Sequence, residues 1–377
     1  MRLNGKPTLT IWLNEDGKTV DIIDQTKLPH QLVVENLKTT EDAARAIKDM
    51  LVRGAPLIGA TAAYGLCLAL HEDASDESII EASDYLNKQR PTAVNLRWAL
   101  EVMGGHLKPL PVEQRLEAAY GKAAEIVKDD IEVNRRIGLH GLEIIRKIAD
   151  KKNGEPVNIL THCNAGWLAT TDWGTATSPI YHAHREGIPV HVWVDETRPR
   201  NQGAALTAYE LLHENVPHTL IVDNAGGHLM QHGKVDICIV GTDRTAANGD
   251  VANKIGTYLK ALAAHDNNIP FYVGLPTSTI DWTLNSGFDI PIEERSEDEV
   301  LKVWGALDDG SNAEVLITAP GVKAANPAFD VTPAKYVTGL ITEYGVIEPN
   351  ETAMAKLKHK QQEARANDTN NLVNEAS

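Results

Sequence analysis

Residues 235–258 read VDICIVGTDRTAANGDVANKIGTY, and this stretch decides both the fold class and the place to look for chemistry. Residues 237–241 are apolar or small, have the texture of a buried strand, and stop at Thr242-Asp243-Arg244. An acid just past a buried strand stands where open α/β sheets place their ligands. The Ala-Ala-Asn-Gly-Asp that follows is turn-forming, and the next segment supplies Asn253, Lys254 and Thr257. An acid, a cation and several small residues so close together suit a phosphorylated small molecule better than a protein surface.

Outward from this stretch the pattern repeats. After Lys151-Lys152-Asn153-Gly154-Glu155-Pro156 come the short apolar runs VNIL, IPVHVWV, HTLIV, DICIV, IPFYVG and AEVLIT, with helix-length segments between several of them. Alternation of this kind predicts an α/β fold, a doubly wound, Rossmann-like parallel sheet with helices on both faces. Polar groups follow the runs at once: Thr161-His162-Cys163, Asp195-Glu196-Thr197, Asp223-Asn224, Thr242-Asp243 and Pro276-Thr277-Ser278. In such a sheet these positions share one edge and can converge. No GxGxxG follows the first strand and no GxxxxGK[ST] occurs, so dinucleotide and P-loop readings lose their main support.

The first ~150 residues read differently. PTLTIWL and TVDIIDQ flank the turn Asn14-Glu15-Asp16-Gly17, which predicts a β-hairpin. From Thr39 the period becomes helical, opening on a Thr-x-x-Asp cap, and helical patterns run on to about Asp150. The expected organisation is a smaller N-terminal β-hairpin and helical domain over 1–150, the Rossmann-like domain over 151–350, and a polar tail over 351–377. From Leu357 onward that tail has few apolar anchors and is expected to fray.

Composition narrows the function. Against 36 Lys and Arg stand 52 Asp and Glu, a net charge of −16. That argues against nucleic acid, whose binding rests on cationic neutralisation of phosphates; an anionic ligand must then meet a local cationic pocket. Three cysteines with no CxxC point to a reducing compartment, with the cytoplasm as the default. No run approaches membrane-spanning length.

Several residues stand out against blander roles. Cys163 in THCNAGWLAT follows a strand and precedes an expected helix, whose N-terminus would lower its pKa; the alternative is a small buried residue at a tight turn. Cys67 and Cys238 lie within apolar runs and read as core. Asp243 suits catalysis and helix capping about equally. RGAPLIG joins Arg53 to the accessible amides of Gly54 and Ala55, a weak phosphate signal. Arg90 in RPTAVNL is a site cation or a surface arginine at a helix start. DETRPRNQGAALTAYE gathers Asp195, Arg198, Arg200 and Gln202 beyond a strand, either a salt-bridged loop or a site. His182 and His184 have no third ligand at sensible spacing, so no metal is expected.

RGAPLIG, RPTAVNL, THCNAG, DETRPRNQGAALTAYEL, GTDRTAANGDVANKIGTY, YVGLPTSTID and NPAFDVTP, in this order, resemble the 5-methylthioribose-1-phosphate isomerases, aldose–ketose isomerases of methionine salvage. The resemblance implies Cys163 and Asp243 as the catalytic pair. It implies substrate contacts from Arg53, Gly54, Ala55, Arg90, Gln202, Asn253 and Lys254, a sugar-phosphate substrate, a homodimer, and no metal or organic cofactor. RPRNQG also looks like the ribose-1,5-bisphosphate isomerases, because Asn201 stands where methylthioribose members more often carry an apolar residue. Isomerisation of ribose 1,5-bisphosphate or 5-deoxyribose 1-phosphate is therefore the nearest alternative. The fold also resembles regulatory subunits of a translation-initiation exchange factor, which act by binding.

Overall fold

The computed structural model describes the chain except residues 4, 91–93, 376 and 377, so Pro91, Thr92 and Ala93 of the RPTAVNL motif lie outside the described residues. Its centre is a seven-stranded sheet. Taken in sequence, the strands are Val157–Thr161, Val190–Asp195, His218–Ile221, Ile237–Val240, Phe271–Gly274, Gly339–Thr342 and Gly345–Ile347. In space the order is third, second, first, fourth, fifth, sixth, seventh, all parallel except the last pair. The chain winds one way from the first strand and the other way from the fourth, which is the doubly wound order that the alternating runs predict.

Residue alternation explains the two covered faces. Ile159, Ile237 and Ile239 point into a core with Ile137, Leu142, Ile180 and Leu211, while Leu160, Cys238 and Val240 point the other way, among Ala261, Ala264, Met230 and Met354. Every one of these is buried, so both faces are dry, and strands buried on both sides read as unbroken apolar runs.

One such run was misplaced by its composition. AEVLIT lies outside the sheet: Asn312–Leu316 pairs with Lys302–Ala306 in an antiparallel hairpin that leaves Val315, Leu316 and Ile317 exposed. The sixth strand is instead Gly339–Thr342, which has only Leu340 and Ile341 as bulky apolar residues, yet all four positions are buried.

The N-terminal hairpin gains a third strand: Ile11–Leu13 and Val20–Ile23 are joined by Val34–Leu37. The helix Thr40–Lys48 begins as its sequence says, with Thr39 and Asp42 forming a complete capping box. Beside it runs Ala55–Ala69, buried on nearly all sides and the centre of the N-terminal core. The 38-residue helix Val112–Ala149 ties the halves together. Ala119, Ala123 and Ile126 belong to the N-terminal core, and Ile137, Leu142 and Ile145 to the sheet core.

The tail differs from expectation. Glu351–Glu375 is a helix, docked by buried Met354 and Leu357. Gln361 fixes it further, accepting from Trp282 Nε1 at 2.7 Å and donating to Thr277 Oγ1 at 3.0 Å. Two apolar anchors one turn apart and a buried amide suffice, a signal too sparse to stand out in a polar stretch.

Replacing Thr39 with Ala removes the hydroxyl that accepts from the Asp42 amide at 3.2 Å. Loss of an N-cap of this kind costs about 1 kcal/mol. Urea unfolding of T39A is expected to show that loss, with kcat unchanged.

Candidate active site

The first and fourth strands are neighbours, and the chain leaves their ends in opposite directions. The loops therefore diverge and open a crevice at this switch point. Cys163 stands just past the first strand and Asp243 just past the fourth, and both line the same cavity.

Cys163 adopts φ of +66°, left-handed backbone that a cysteine rarely takes. Thr197, at φ +63°, and Asn201, at +55°, share that region, so three non-glycine residues around the cavity hold sparsely populated conformations. Side chains enforce the arrangement: the Cys163 amide donates to Thr197 Oγ1 at 2.8 Å, and Thr207 Oγ1 donates to the Cys163 carbonyl at 2.8 Å. The thiol lies 3.4 Å from Gln202 Oε1. The left-handed position also gives a backbone reason for Asn201, since Asn tolerates it better than apolar residues do.

No helix begins at Cys163; the chain runs on to a single 3₁₀ turn, Trp167–Ala169. The lowered pKa expected from a helix N-terminus is absent. Burial pushes the thiol up, and the nearby Arg53 and Lys254 offset this only in part. Cys67 and Cys238 are core residues, as their apolar surroundings suggest, and burial raises both.

Arg53 reaches the loop after the first strand from the N-terminal layer. Its guanidinium donates to Asn164 Oδ1 at 2.5 Å and to the Asn164 carbonyl at 2.8 Å. Gly54 follows at φ +86°, and a Cβ there would stand 2.2 Å from the Ala169 carbonyl oxygen. Only glycine lets the start of the Ala55–Ala69 helix press so close against the loop. Asn164 in turn donates to buried Glu210 at 2.9 Å, which also accepts from the Trp167 and Leu168 amides and from the Tyr181 hydroxyl.

Past Asp243 the chain turns back as a hairpin, Arg244–Ala246 against Val251–Lys254. Alternation along its second strand sends Ala252 and Lys254 to the cavity and Asn253 to the other side. The Lys254 ammonium lies over the Phe329 ring, 4.8 Å from its centroid. Burial pushes the Asp243 carboxyl up, against the pull of Lys254, Arg53 and Arg90; it pushes Lys254 and Arg90 down.

The structure thus brings Arg53, Gly54, Ala55, Arg90, Cys163, Gln202, Asp243 and Lys254 to one cavity. The Asn253 side chain is the exception, donating to Thr257 Oγ1 at 3.0 Å within the protein. Asp195, though it follows a strand, also turns inward: its carboxylate meets His162 Nδ1 at 2.8 Å and Lys260 Nζ at 3.1 Å. His162, Asp195 and Asp223 lie close enough to suggest a metal site. The Lys260 ammonium already holds the cation's place there, so the donor set does not fit a metal. His182 stacks on Trp173, with centroids 4.4 Å apart, and burial holds its pKa at about 4.

Sequence reasoning missed part of the wall. Met50, Ile58, Ile290 and Phe329 make it partly apolar, and Arg295 adds a cation. Arg295 follows no strand and belongs to no motif singled out above, so only folding places it.

Comparison with known proteins adds an independent line. The chain matches the Initiation factor 2 subunit family over residues 51–349. A methylthioribose-1-phosphate isomerase of Rhizobium meliloti strain 1021 is 64% identical over 359 residues, covering 95% of this chain and 99% of that protein. One of Escherichia coli O45:K1 is 60% identical, covering 95% and 96%. Among solved structures, the 5-methylthioribose 1-phosphate isomerase of Pyrococcus horikoshii OT3 superposes with a TM-score of 0.81 at 42% identity, covering 94% and 96%. The translation initiation factor eIF-2B subunit delta of A. fulgidus gives 0.76 at 40% identity, covering 91% and 96%.

Glu210→Gln keeps the shape of the buried acid but replaces one acceptor oxygen with a donor. One of the Trp167 and Leu168 amides then loses its partner, at a cost of about 1–3 kcal/mol. Denaturant unfolding is expected to register that cost, and alkylation of Cys163 to accelerate as its loop loosens. Unchanged stability and thiol reactivity would deny the acid this role.

Proposed function

The chain belongs to the Initiation factor 2 subunit family, and we propose that within it the protein is the aldose–ketose isomerase that converts 5-methylthioribose 1-phosphate to 5-methylthioribulose 1-phosphate in methionine salvage. The isomerase relatives, at 60–64% identity over nearly their whole length, carry the assignment to the reaction. The observation that ties it to residues is the presence of a buried thiol, Cys163, and a half-buried carboxyl, Asp243, in one cavity lined by cations.

The chemistry sets three demands. The anomeric hydroxyl is esterified, so the furanose ring does not open as a free sugar's does. A proton must be given to the ring oxygen as its bond to C1 breaks. Hydrogen must then pass from C2 to C1, and the C2 hydroxyl must release its proton to become the ketone. The proton given and the proton released balance, and the phosphate ester stays on C1 throughout.

Asp243 acts as the acid. A general acid works in its protonated form, and burial raises this carboxyl toward it. Lys254, Arg90 and Arg53 pull the other way until a phosphate arrives. A phosphate on those cations cancels their pull, so binding itself favours the protonated acid. The same cancellation drives the Cys163 thiol further toward its neutral form. A neutral thiol is a poor base, which favours direct transfer of hydrogen as hydride, with Cys163 shaping the wall beside C1 and C2. Gln202 orients the thiol, while Gly54 and Ala55 supply the close backbone. Asn253 braces the turn that carries Lys254, because it donates to Thr257 Oγ1, which itself donates to the Lys254 carbonyl.

The protein works as a cytoplasmic homodimer. A reducing compartment suits a thiol that must stay free, and the exposed Val315, Leu316 and Ile317 offer apolar surface to bury. Light scattering is expected to give twice the 41.1 kDa chain mass, and a value at the chain mass itself rules the dimer out. A binding role, suggested by the likeness to the A. fulgidus translation initiation factor eIF-2B subunit delta, is the second reading. It gives no reason for a thiol and an acid to face each other in a cationic cavity.

Asp243→Asn, which removes the acid, is expected to lower kcat by roughly 10²–10⁴ with ligand affinity within a few-fold. Cys163→Ser, which alters the wall beside C1 and C2 without removing an acid or base, is expected to lower kcat by less, again with affinity within a few-fold. Lys254→Ala should act mainly on affinity, since the phosphate is held in ground and transition states alike. Near-normal turnover in either of the first two variants removes that residue from the mechanism. The pH profile follows from the sign of the shift: kcat/KM is highest below the raised Asp243 pKa and falls as pH climbs through it. In D₂O, direct hydride transfer leaves C1 of the ketose free of solvent deuterium, and deuterium there would mark proton abstraction by a base.

A further inference from the structure

Arg53, Arg90, Arg200, Arg244, Lys254 and Arg295 all line the cavity, more cationic charge than one phosphate needs. Their counter-charges sort them. Arg244 meets Asp281 at 3.6 Å, and Arg200 meets Glu299 at 3.0 Å. Arg295 meets Glu299 at 2.6 Å and Glu293 at 3.2 Å. Arg53 is engaged by the uncharged Asn164, and Lys254 by the Phe329 ring. Among the described residues, Arg53, Arg90 and Lys254 make no ion pair with a carboxylate. These three suit one phosphate, which carries about −1.5 to −2 at neutral pH.

Glu299 is the hub of the neutralised group. It accepts from Arg295 through both Nε and Nη2, from Arg200, and from Asn326 Nδ2 at 3.0 Å. Burial pushes its carboxyl up, but Arg295, Arg200 and Asn326 more than offset this and hold it at about 2, so it stays ionised over any working pH. Its place is also particular. Met50, Arg53, Arg200 and Gln202 line both the cavity and an adjoining groove, and Glu299 lies on that groove. The acid therefore sits where the cavity opens outward, holding two arginines that would otherwise face an incoming anion.

We propose that Glu299 sets the number of phosphates on the substrate: by pairing with Arg200 and, together with Glu293, with Arg295, it denies a second phosphate its anchor. The assignment rests on the isomerase reading above and deepens it. It selects pentose 1-phosphates with an uncharged substituent on C5 over pentose 1,5-bisphosphates. Discrimination of this kind works by withholding an attraction from the wrong ligand as well as by making one to the right ligand. The partly apolar wall of Met50, Ile58, Ile290 and Phe329 gives an uncharged substituent something to pack on.

The experiment compares kcat/KM for 5-methylthioribose 1-phosphate and ribose 1,5-bisphosphate, read as ketose formed, in wild type, Glu299→Gln and Glu299→Asp, with thermal melts of all three. Wild type is expected to prefer the monophosphate strongly. Glu299→Gln keeps the shape, frees Arg200 and leaves Arg295 to Glu293 alone, so the ratio of bisphosphate to monophosphate kcat/KM should rise about tenfold or more, as expected when cationic charge is released in a shielded site. Glu299→Asp disturbs the packing but keeps the charge, and its ratio should stay near wild type. A ratio that moves less than about twofold in Glu299→Gln, or equally in Glu299→Asp, overturns the proposal. Wild type alone also decides: equal turnover of the two sugars overturns the proposal and leaves the isomerase reading standing. Turnover of neither removes that reading, and the proposal with it.

Discussion

The candidate cavity depends on one buried carboxylate, Glu210. It lies under the loop that follows the first strand and accepts four hydrogen bonds, from the Asn164 amide, the Trp167 and Leu168 backbone and the Tyr181 hydroxyl. A carboxylate has the lone pairs for such a set and no neutral side chain of the same size does. The loop must pass so near that a Cβ on Gly166 would stand 2.0 Å from Glu210 Oε2. Once Asn164 is fixed, its free oxygen and its carbonyl hold Arg53, which comes from the N-terminal layer. One acid therefore sets the backbone beside Cys163 and joins the two hydrophobic cores at the place where the cavity forms.

On that frame, electrostatics are arranged by burial against charge. Cys163 and Asp243 are both pushed toward their neutral forms by loss of water, and the cations of the cavity oppose this without prevailing. The cost of holding Lys254 and Arg90 in a confined space appears as their lowered pKa values. In the proposed reaction a phosphate on these cations would relieve that cost and, by screening them, strengthen the neutral forms of thiol and acid. Binding and proton placement would then be a single event. The strained backbone at Cys163 and Thr197 persists because Thr197 and Thr207 hydroxyls hold it from both sides.

Much of this was legible in the sequence. Apolar runs ending in Cys163 and Asp243 told of strand ends on one edge, because a strand buried on both faces must read as unbroken apolar residues. The strand order that makes those two ends neighbours is a property of chain winding and has no local signature. Asn253 shows the limit of reading by motif: it is adjacent to Lys254, but in a strand adjacent side chains point apart. AEVLIT looks like a core strand because composition does not say what covers it, and Gly339–Thr342 was passed over because two bulky residues sufficed there. Arg295 carries no signal, lying in a connecting segment, and Glu210, though it closes the DETRPRNQGAALTAYE stretch, reads there as one more acid on a helix. The 5-methylthioribose-1-phosphate isomerase resemblance supplied the pairing of Cys163 with Asp243 that spacing alone left open.

The central claim is that phosphate binding drives Asp243 into its protonated form. Isothermal titration calorimetry in buffers of different ionisation heat measures the protons exchanged when a non-isomerisable 2-deoxy analogue of the sugar phosphate binds. At a pH where the acid is ionised in the free enzyme, wild type is predicted to take up a proton that Asp243→Asn does not. Equal proton exchange in the two proteins would contradict the account, because the acid would then gain nothing from the phosphate beside it.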